Sequence, residues 1–352
     1  MYRGHTIGVI VPAYNEAAHV GDVLATIPDF VDRIYAVDDC STDDTWEIIR
    51  EYAAASREAS DESAAAVASE NEAGGQRLRA SLPDGGAVVE SGTEIVPIRH
   101  EENQGAGGAL RTGYVRARDD GVDVAVTMDA DGQMDPDQLS RLLDPIVEGD
   151  ADYAKGNRLA DRASRREMPP FRLFGNWLLT QLTKIASGYW RLQDPQNGYT
   201  AISHEALSAI DAESLPDDHD YPNDLLVRLN VADMRVADVS MPAVYDDEES
   251  TIQYRTFVPA TSITLLRGFC RRMAAQFAAN RLNPAVCCYV AGIAALAAAG
   301  SIAAVGGANA VGGEASAREP IAAAFALVAS AGLFLLAMRV DARDNADLGV
   351  RR

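Results

Sequence analysis

The sequence predicts an α/β protein, a mainly parallel sheet flanked by helices and followed by a pair of apolar helices. Three observations carry this prediction. Apolar, β-rich runs alternate with stretches of helical spacing, the βαβ rhythm of a parallel sheet. The central run Val124-Ala125-Val126 ends abruptly in an acidic loop, Asp129-Ala130-Asp131-Gly132-Gln133-Met134-Asp135. An apolar strand of this kind is buried and delivers its carboxylates to the C-terminal edge of the sheet, where open α/β sheets bind ligands. Two later stretches, Ala285–Val305 and Ile321–Met338, hold no charged residue.

Taken in order, Thr6–Val11 is the first strand, and Pro12 stops it. The loop Pro12-Ala13-Tyr14-Asn15-Glu16 leads into a helix over Ala17–Ile27, with Val20, Val23, Leu24 and Ile27 on one side. Arg33–Val37 is the second strand and ends in Asp38-Asp39-Cys40-Ser41. Ser41 or Thr42 can cap the next helix, which begins near Asp43 and carries Trp46, Ile48 and Ile49. Ala53–Gly92 breaks the rhythm: it has no aromatic residue and sets three arginines against seven acids. Too little apolar surface is available there to offset the entropy of ordering, so a flexible surface insertion is expected, with room for a short fraying helix at its start.

Order resumes with a strand over Glu94–Ile98, the Gly-rich turn His100–Gly108 and a helix over Ala109–Asp119. Beyond the acidic loop a helix runs from Pro136, a good first-turn residue, to about Val147. Asp152–Ala154 leads into Lys155-Gly156-Asn157-Arg158. Phe171, Phe174, Leu178, Leu182, Ile185 and Tyr189 recur at steps of three and four, an amphipathic helix over Pro170–Tyr189. Asp194–Tyr199 reads as a turn before another short strand, and Tyr221–Leu229 as a helix.

Composition narrows the class. Net charge is −21, and only Lys155 and Lys184 among 31 basic residues are lysine. A surface this acidic, with arginine in place of lysine, suits solubility in high salt and resembles a halophile's proteome. No basic stripe marks the main domain, which argues against a nucleic-acid partner. The four cysteines have neither disulfide nor zinc spacing, so a reducing compartment is expected. Thr6–Val11 is too short for a signal peptide.

Each uncharged stretch is long enough, at ~1.5 Å per residue, to cross most of a bilayer's hydrocarbon core. Arg267, Arg271, Arg272 and Arg281 precede the first, and Arg339, Arg343, Arg351 and Arg352 follow the second, whereas the intervening loop holds only Arg318. This asymmetry predicts a two-span membrane protein with head and both termini cytoplasmic. The expected layout is a head over residues 1–250 carrying the insertion 53–92, an interfacial amphipathic segment 251–283, two transmembrane helices over 284–340 and a cytoplasmic tail, 341–352. Helix Pro170–Tyr189 and the stretch Ile263–Phe277 are expected to lie on the membrane surface.

The chemistry starts at the acidic loop. Two carboxylates on one short turn repel each other unless a divalent cation sits between them, and hard oxygen ligands suit Mg²⁺ or Mn²⁺, with water and substrate phosphates in the remaining positions. A lone histidine, His219 in D-D-H-D, has no partner spacing and marks no metal site.

The motifs P-A-Y-N-E after the first strand, V-D-D-C-S-T-D after the second, N-Q-G-A-G-G-A-L-R-T-G before the acidic strand, and D-A-D-G-Q together resemble the family 2 glycosyltransferases with the GT-A fold. More narrowly they resemble the dolichyl- or polyprenyl-phosphate sugar synthases. The resemblance covers about Thr6–Ser203 apart from the insertion. It implies a GT-A, Rossmann-like nucleotide-sugar-binding domain with a C-terminal two-helix membrane hairpin, and inverting transfer from a nucleotide sugar to a polyisoprenyl phosphate. It also implies that Pro12, Tyr14, Asn15, Glu16, Asp38, Asp39, Gln104, Gly105 and Asp129 hold the nucleotide sugar. Asp129, Asp131 and Gln133 would hold Mg²⁺ or Mn²⁺. Asp131 and Arg158 would be catalytic, and Arg158, Arg172 and Arg255 would receive the acceptor phosphate.

Two departures bear on the acceptor. Where the family has Gly-x-Ser-Lys before the membrane segment, this chain reads E-E-S-T-I-Q-Y-R. Where sugar-to-sugar members carry Glu-Asp as base, it reads Tyr221-Pro222-Asn223-Asp224. If Asp224 is a general base, the acceptor is a hydroxyl on a lipid-linked saccharide; if it only caps or supports, the lipid-phosphate reading stands. The missing Q-x-x-R-W pattern sets a processive polysaccharide synthase aside. An inactive nucleotide-sugar-binding scaffold conflicts with intact D-A-D and Arg158, and a nucleotidyltransferase would carry a basic Gly-rich loop where P-A-Y-N-E stands.

Overall fold

The computed structural model describes residues 1–69, 79–80, 89–90, 93–158, 170–217, 220–242, 254–312 and 316–352; for 61–69, 79–80, 89–90, 170–174, 176 and 254–260 it describes the backbone alone. The head is an eight-stranded mixed sheet in the order β10-β9-β7-β8-β6-β1-β2-β5. The strands are β1 (Ile7–Ala13), β2 (Arg33–Asp38), β5 (Glu94–Arg99), β6 (Val124–Thr127), β7 (Tyr153–Asn157), β8 (Thr200–Ser203), β9 (Val236–Ser240) and β10 (Gly349–Arg351). A separate antiparallel pair, β3 (Arg79–Ala80) and β4 (Val89–Glu90), lies in the insertion.

Within the large sheet every pairing is parallel except those of β8, which runs against both β6 and β7. This topology places the site. The loops leaving β1, β2, β6 and β7 all emerge at one edge. Because β8 runs the other way, its entering loop, Asp194–Tyr199, arrives at the same edge. The strand order also reverses direction beside β1, between β2 and β6, the kind of crevice where such sheets take ligands.

Both faces of the sheet are covered. Ile7, Val9 and Val11 face one cluster, joined by α1 (Val20–Thr26), α2 (Thr45–Ser69) and α4 (Leu139–Val147) through Val23, Leu24, Ile49 and Leu142. Ile10, between them, faces a second cluster with Leu110 and Tyr114 of α3 (Gly105–Asp119), Leu207 of α6 (His204–Ala209) and Leu225 and Leu229 of α7 (Tyr221–Val231). Burial on both faces is why β1 reads as a continuous apolar run rather than an alternating one.

Glycines set the closeness of α3 to the sheet. A Cβ on Gly113 would stand 2.2 Å from Ile10 Cγ2, and one on Gly107 would stand 2.2 Å from the Pro216 carbonyl oxygen. The glycines of N-Q-G-A-G-G-A-L-R-T-G therefore let the helix approach β1 and the 216–217 loop, a packing role that spacing alone did not distinguish from ligand binding.

Three elements depart from expectation. The helix begun at Thr45 continues to Ser69, well into the stretch expected to be a flexible insertion. Alanine, the best helix former, dominates that run, and Ala53, Ser56 and Ala59 are buried. The segment expected to lie along the membrane surface includes helix α8 (Tyr254–Ala279), which packs on α5 (Pro170–Ser187) and α7. The expected tail is also folded: Gly349–Arg351 adds to the sheet as β10, parallel to β9, using an edge whose backbone groups would otherwise lack partners.

Helices α9 (Pro284–Val311) and α10 (Arg318–Asp344) form a hairpin, and each is long and apolar enough to cross a membrane. Their outward surface stays apolar, with Val290, Ile293, Phe325, Val328 and Leu335 exposed. Where they meet, Ser330 Oγ donates to the Gly292 carbonyl at 2.8 Å, and Phe334 lies over the same glycine. At the head end Tyr289 packs edge-on against Phe269 of α8, ring centroids 5.0 Å apart.

Gly113→Ala is expected to overpack the α3–β1 contact and destabilise the head by about 1–3 kcal/mol. Gly175→Ala, whose added methyl meets no atom of the described residues within 4 Å, should be neutral or slightly stabilising. Thermal unfolding followed by near-UV circular dichroism checks both.

Candidate active site

The first two loops of the edge are built as one unit. Asn15 is in the left-handed region at φ 58°, and Cys40 opposite it at φ 63°. Asn15 N donates to Ser41 Oγ at 2.9 Å, and Asn15 Oδ1 accepts from Thr42 N at 2.8 Å. Glu16 N donates to Thr45 Oγ1 at 2.8 Å. P-A-Y-N-E and D-D-C-S-T-D are thus stitched together through backbone amides, leaving Tyr14 exposed above them.

Asp38 and Asp39 are buried beneath this unit. Asp38 pairs with Arg99, 3.1 Å away, whose guanidinium also lies over Trp46. Asp39 Oδ1 accepts from His100 Nδ1 at 2.7 Å and Gln104 N at 2.8 Å, and Oδ2 accepts from Gly105 N at 2.7 Å. The backbone amides of Gln104 and Gly105, residues expected to hold the nucleotide sugar, thus donate to Asp39. They cap α3 through Asp39, the usual service of a carboxylate at a helix N-terminus. The Gln104 side chain is held too, accepting from Arg111 Nη2 at 3.0 Å.

Asp129 and Asp131 lie beside this unit at the end of β6. Gln133 N donates to Asp131 Oδ1 at 2.9 Å, and Gly132 takes φ 75°, so the D-A-D-G-Q loop turns tightly back on itself. Asp135 caps the following turn by accepting from Asp137 N at 3.0 Å. The Asp129 carboxyl is pushed up to about 7, first by burial, then by the charges of Asp131 and Glu16, against the pull of Arg158. Three carboxylates from two loops and one guanidinium therefore share a single electrostatic neighbourhood.

Arg158 reaches this neighbourhood from β7. Asp194 Oδ2 holds it by accepting from both its Nε, at 3.0 Å, and its backbone N, at 3.2 Å. Beneath it Lys155 is fully buried and donates to the Asn197 carbonyl, its ammonium lowered to about 8 by burial. Asn157 Nδ2 donates to Asp238 Oδ2 at 2.8 Å, and burial raises Asp238 to about 6. Gly156 admits this layer: a Cβ there would meet Met241 Sδ at 2.4 Å and Asn197 Nδ2 at 2.5 Å. Lys155, Asp194 and Asp238 escaped the sequence reading because each meets a partner far off in the chain, Asn197, Arg158 and Asn157 respectively. The pairing of K-G-N-R with D-P-Q-N-G-Y across the sheet was the available signal.

The remaining expected residues divide. Asp224 lies in the first turn of α7, clamped between Arg228 Nε at 2.5 Å and Arg271 Nη2 at 2.9 Å. Arg172 and Arg255 fall on α5 and α8, where their side chains lie outside the described residues, as does His219. Among the described residues no three His, Cys, Asp or Glu side chains converge closely enough to enclose a metal ion. The donor set is nonetheless the one Mg²⁺ and Mn²⁺ use, one or two carboxylates with phosphates and water completing the shell. The mutual repulsion of Asp129, Asp131 and Glu16 is what such an ion relieves.

A doubly covered α/β sheet with an acidic D-A-D turn and an arginine at its switch-point edge defines a GT-A-type glycosyltransferase. The chain belongs to glycosyl transferase family 2, whose sequence profile matches residues 8–77 and 87–211. Within that family it is related to enzymes acting on polyprenyl phosphates. It is 27% identical over 242 residues to the UDP-N-acetylglucosamine–dolichyl-phosphate N-acetylglucosaminyltransferase of Methanococcus voltae, covering 68% of this chain and 86% of that one. It is 33% identical over 145 residues to the polyprenol monophosphomannose synthase of Mycolicibacterium smegmatis, covering 38% and 52%. Among solved structures, glucosyl-3-phosphoglycerate synthase from Mycobacterium tuberculosis in complex with Mn²⁺, UDP and glucosyl-3-phosphoglycerate superposes with a TM-score of 0.48 at 18% identity, covering 76% of this chain and 80% of that one.

Removing the like charge of Asp131 should let Asp129 ionise more readily, so Asp131→Asn is expected to lower the Asp129 pKa below about 7, measured by carbon-detected NMR of labelled carboxyls without metal. A carboxyl held above its unfolded value favours the fold while protonated, and that contribution is lost as pH rises towards its folded pKa. Asp129→Asn should therefore raise Tm more at pH ~8 than at pH ~5, and the difference should vanish only below the unfolded carboxyl's pKa, about 4.

Proposed function

We propose that this protein is a membrane-anchored, inverting glycosyltransferase that moves a sugar from a nucleotide sugar to a polyisoprenyl phosphate. The observation that carries this reading is the shared neighbourhood of Glu16, Asp129 and Asp131 with Arg158, at a sheet edge whose head is continuous with an apolar hairpin. The relatedness to dolichyl- and polyprenyl-phosphate sugar transferases supports it. The donor is a UDP- or GDP-hexose, and the N-acetylglucosaminyltransferase likeness makes UDP-N-acetylglucosamine the first to assay.

In this reading the stitched loops Pro12–Glu16 and Asp38–Ser41 form the nucleoside wall, with Tyr14 exposed to meet the base. Asp39 supports that wall by fixing the start of α3. Asp129 and Asp131, with Gln133 on the same turn, hold Mg²⁺ or Mn²⁺; when bound, the ion neutralises the charge gathering on the departing diphosphate. An acceptor phosphate oxygen attacks the anomeric carbon, the bond from that carbon to the diphosphate oxygen breaks, and the nucleoside diphosphate leaves with the electron pair. The anionic acceptor needs cations to dock it rather than a base to deprotonate it, and Arg158, steadied by Asp194, supplies one. Arg172 and Arg255 are the further candidates for that phosphate.

Extension of a lipid-linked saccharide would require Asp224 as base. Both oxygens of that carboxylate are already engaged, Oδ2 by Arg228 and Oδ1 by Arg271, which favours a supporting role for it. The hairpin is read as spanning the membrane, with the head on the cytoplasmic side. The return of residues 349–351 to the head sheet agrees with both ends of the hairpin lying on that side.

The test is transfer of radiolabelled sugar from UDP- and GDP-sugars to dolichyl phosphate by membranes in high salt with Mg²⁺ or Mn²⁺. Asp131→Ala and Arg158→Ala are expected to lower the rate by on the order of 10² or more. Asp224→Asn, which keeps the shape, should retain transfer to dolichyl phosphate. Activity confined to a lipid-linked saccharide and abolished by Asp224→Asn would replace this reading with glycan extension.

A further inference from the structure

The hairpin is joined to the head by a fully buried ion pair. Arg272 of α8 and Asp341 in the last turn of α10 are both at 0% exposure. Arg272 Nη1 donates to Asp341 Oδ1 at 2.7 Å and Nη2 donates to Oδ2 at 2.9 Å, a bidentate pair. The other guanidinium donors go to the end of α5, Nε to the Ala186 carbonyl and Nη2 to the Ile185 carbonyl, both at 2.9 Å. Asp341 Oδ2 also accepts from Trp190 Nε1 at 3.1 Å, and Oδ1 from Asn345 Nδ2 at 3.0 Å. Asn345 Oδ1 in turn accepts from Asn230 Nδ2 of α7 at 2.8 Å. Gly188, at φ 82°, leaves the necessary space, because a Cβ there would stand 2.8 Å from Arg272 Nη1. Four helices thus meet around one guanidinium.

The neighbouring residue extends this junction to α7. Arg271 Nη2 donates to Asp224 Oδ1 on α7 at 2.9 Å. Consecutive arginines on α8 therefore tie the apolar hairpin on one side and α7 on the other. A buried ion pair adds little net stability over well-packed apolar side chains, because desolvating both charges offsets their attraction. What it does supply is a single permitted geometry, since any other docking leaves a charge buried without its partner.

We propose that Arg272 and Asp341 are positioning residues for transfer to a membrane-held acceptor: their pair fixes the angle at which the hairpin leaves the head, and so the tilt of the open sheet edge towards the lipid surface. This rests on the polyisoprenyl phosphate reading above. The substitution that removes both charges without stranding either is Arg272→Met with Asp341→Leu in the full chain.

In vesicles, that double variant is expected to lose about tenfold in kcat/KM for polyisoprenyl phosphate, while KM for the nucleotide sugar and turnover of a short-chain isoprenyl phosphate in detergent stay within about twofold of wild type. A parallel fall with both acceptors, or no fall with either, overturns the proposal. Spin-label distances between Cys287 and Ser208→Cys, with Cys40, Cys270 and Cys288 replaced by alanine, give a readout independent of turnover. The distribution should be narrow with the pair present and broadened or shifted in the double variant; an unchanged distribution overturns the proposal. If the wild type transfers sugar to neither isoprenyl phosphate, the acceptor reading fails, and the distances still decide the positioning role.

Discussion

Like-charge crowding at one sheet edge is the constraint around which the head is arranged. Parallel strands deliver their loops to the same side, and here those loops carry Glu16, Asp38, Asp39, Asp129 and Asp131. Each carboxylate has a distinct settlement. Asp38 is paired with Arg99, and Asp39 is surrounded by one imidazole and two amides. Asp129 is left in conflict with its neighbours, and only Arg158 pulls against that conflict. A carboxylate crowded by like charges is costly to ionise, which is why the proposed function gives Asp129 the metal ion.

The support under Arg158 follows the same logic. In the proposed function this guanidinium docks the acceptor phosphate, so its position has to be fixed. Asp194 holds it from the entering loop of the antiparallel strand β8, taking both its Nε and its backbone amide. Lys155 and Asp238 lie in the layer below, their charges opposed by burial and balanced by each other. The single antiparallel strand in the main sheet is what brings Asp194 and Asn197 to an edge otherwise supplied by parallel strands.

Much of this was legible in the sequence wherever the signal was local. Strands β1, β2, β5 and β6, the turns that follow them and the acidic loop were all readable from apolar runs ending in polar clusters. So were the two apolar helices. Roles that depend on distant partners were not. Asp39, expected to hold the nucleoside, also accepts from His100, Gln104 and Gly105, partners that follow β5 and that its own neighbours in the chain did not announce. Asp224 matched the position of a base, and nothing near it in the chain announced Arg271. The Gly-rich turn before the acidic strand suggested a place beside a nucleotide, and Gly107 and Gly113 in addition mark where backbone and side chains crowd. The helix into the insertion was cut short because an alanine-rich stretch without aromatics reads alike as surface helix and as disorder.

Strand β10 has a consequence for biogenesis. It follows both apolar helices in the chain, so the ribosome has made the whole hairpin before the outer edge of β9 can be covered. Until then the sheet carries an exposed edge of unpaired amides and carbonyls, the kind of surface that invites pairing with another chain. Synthesis of the hairpin and closure of the head are thereby ordered in time: an unfinished chain keeps an open sheet edge, and pairing of that edge marks a molecule whose apolar segment has already been synthesised.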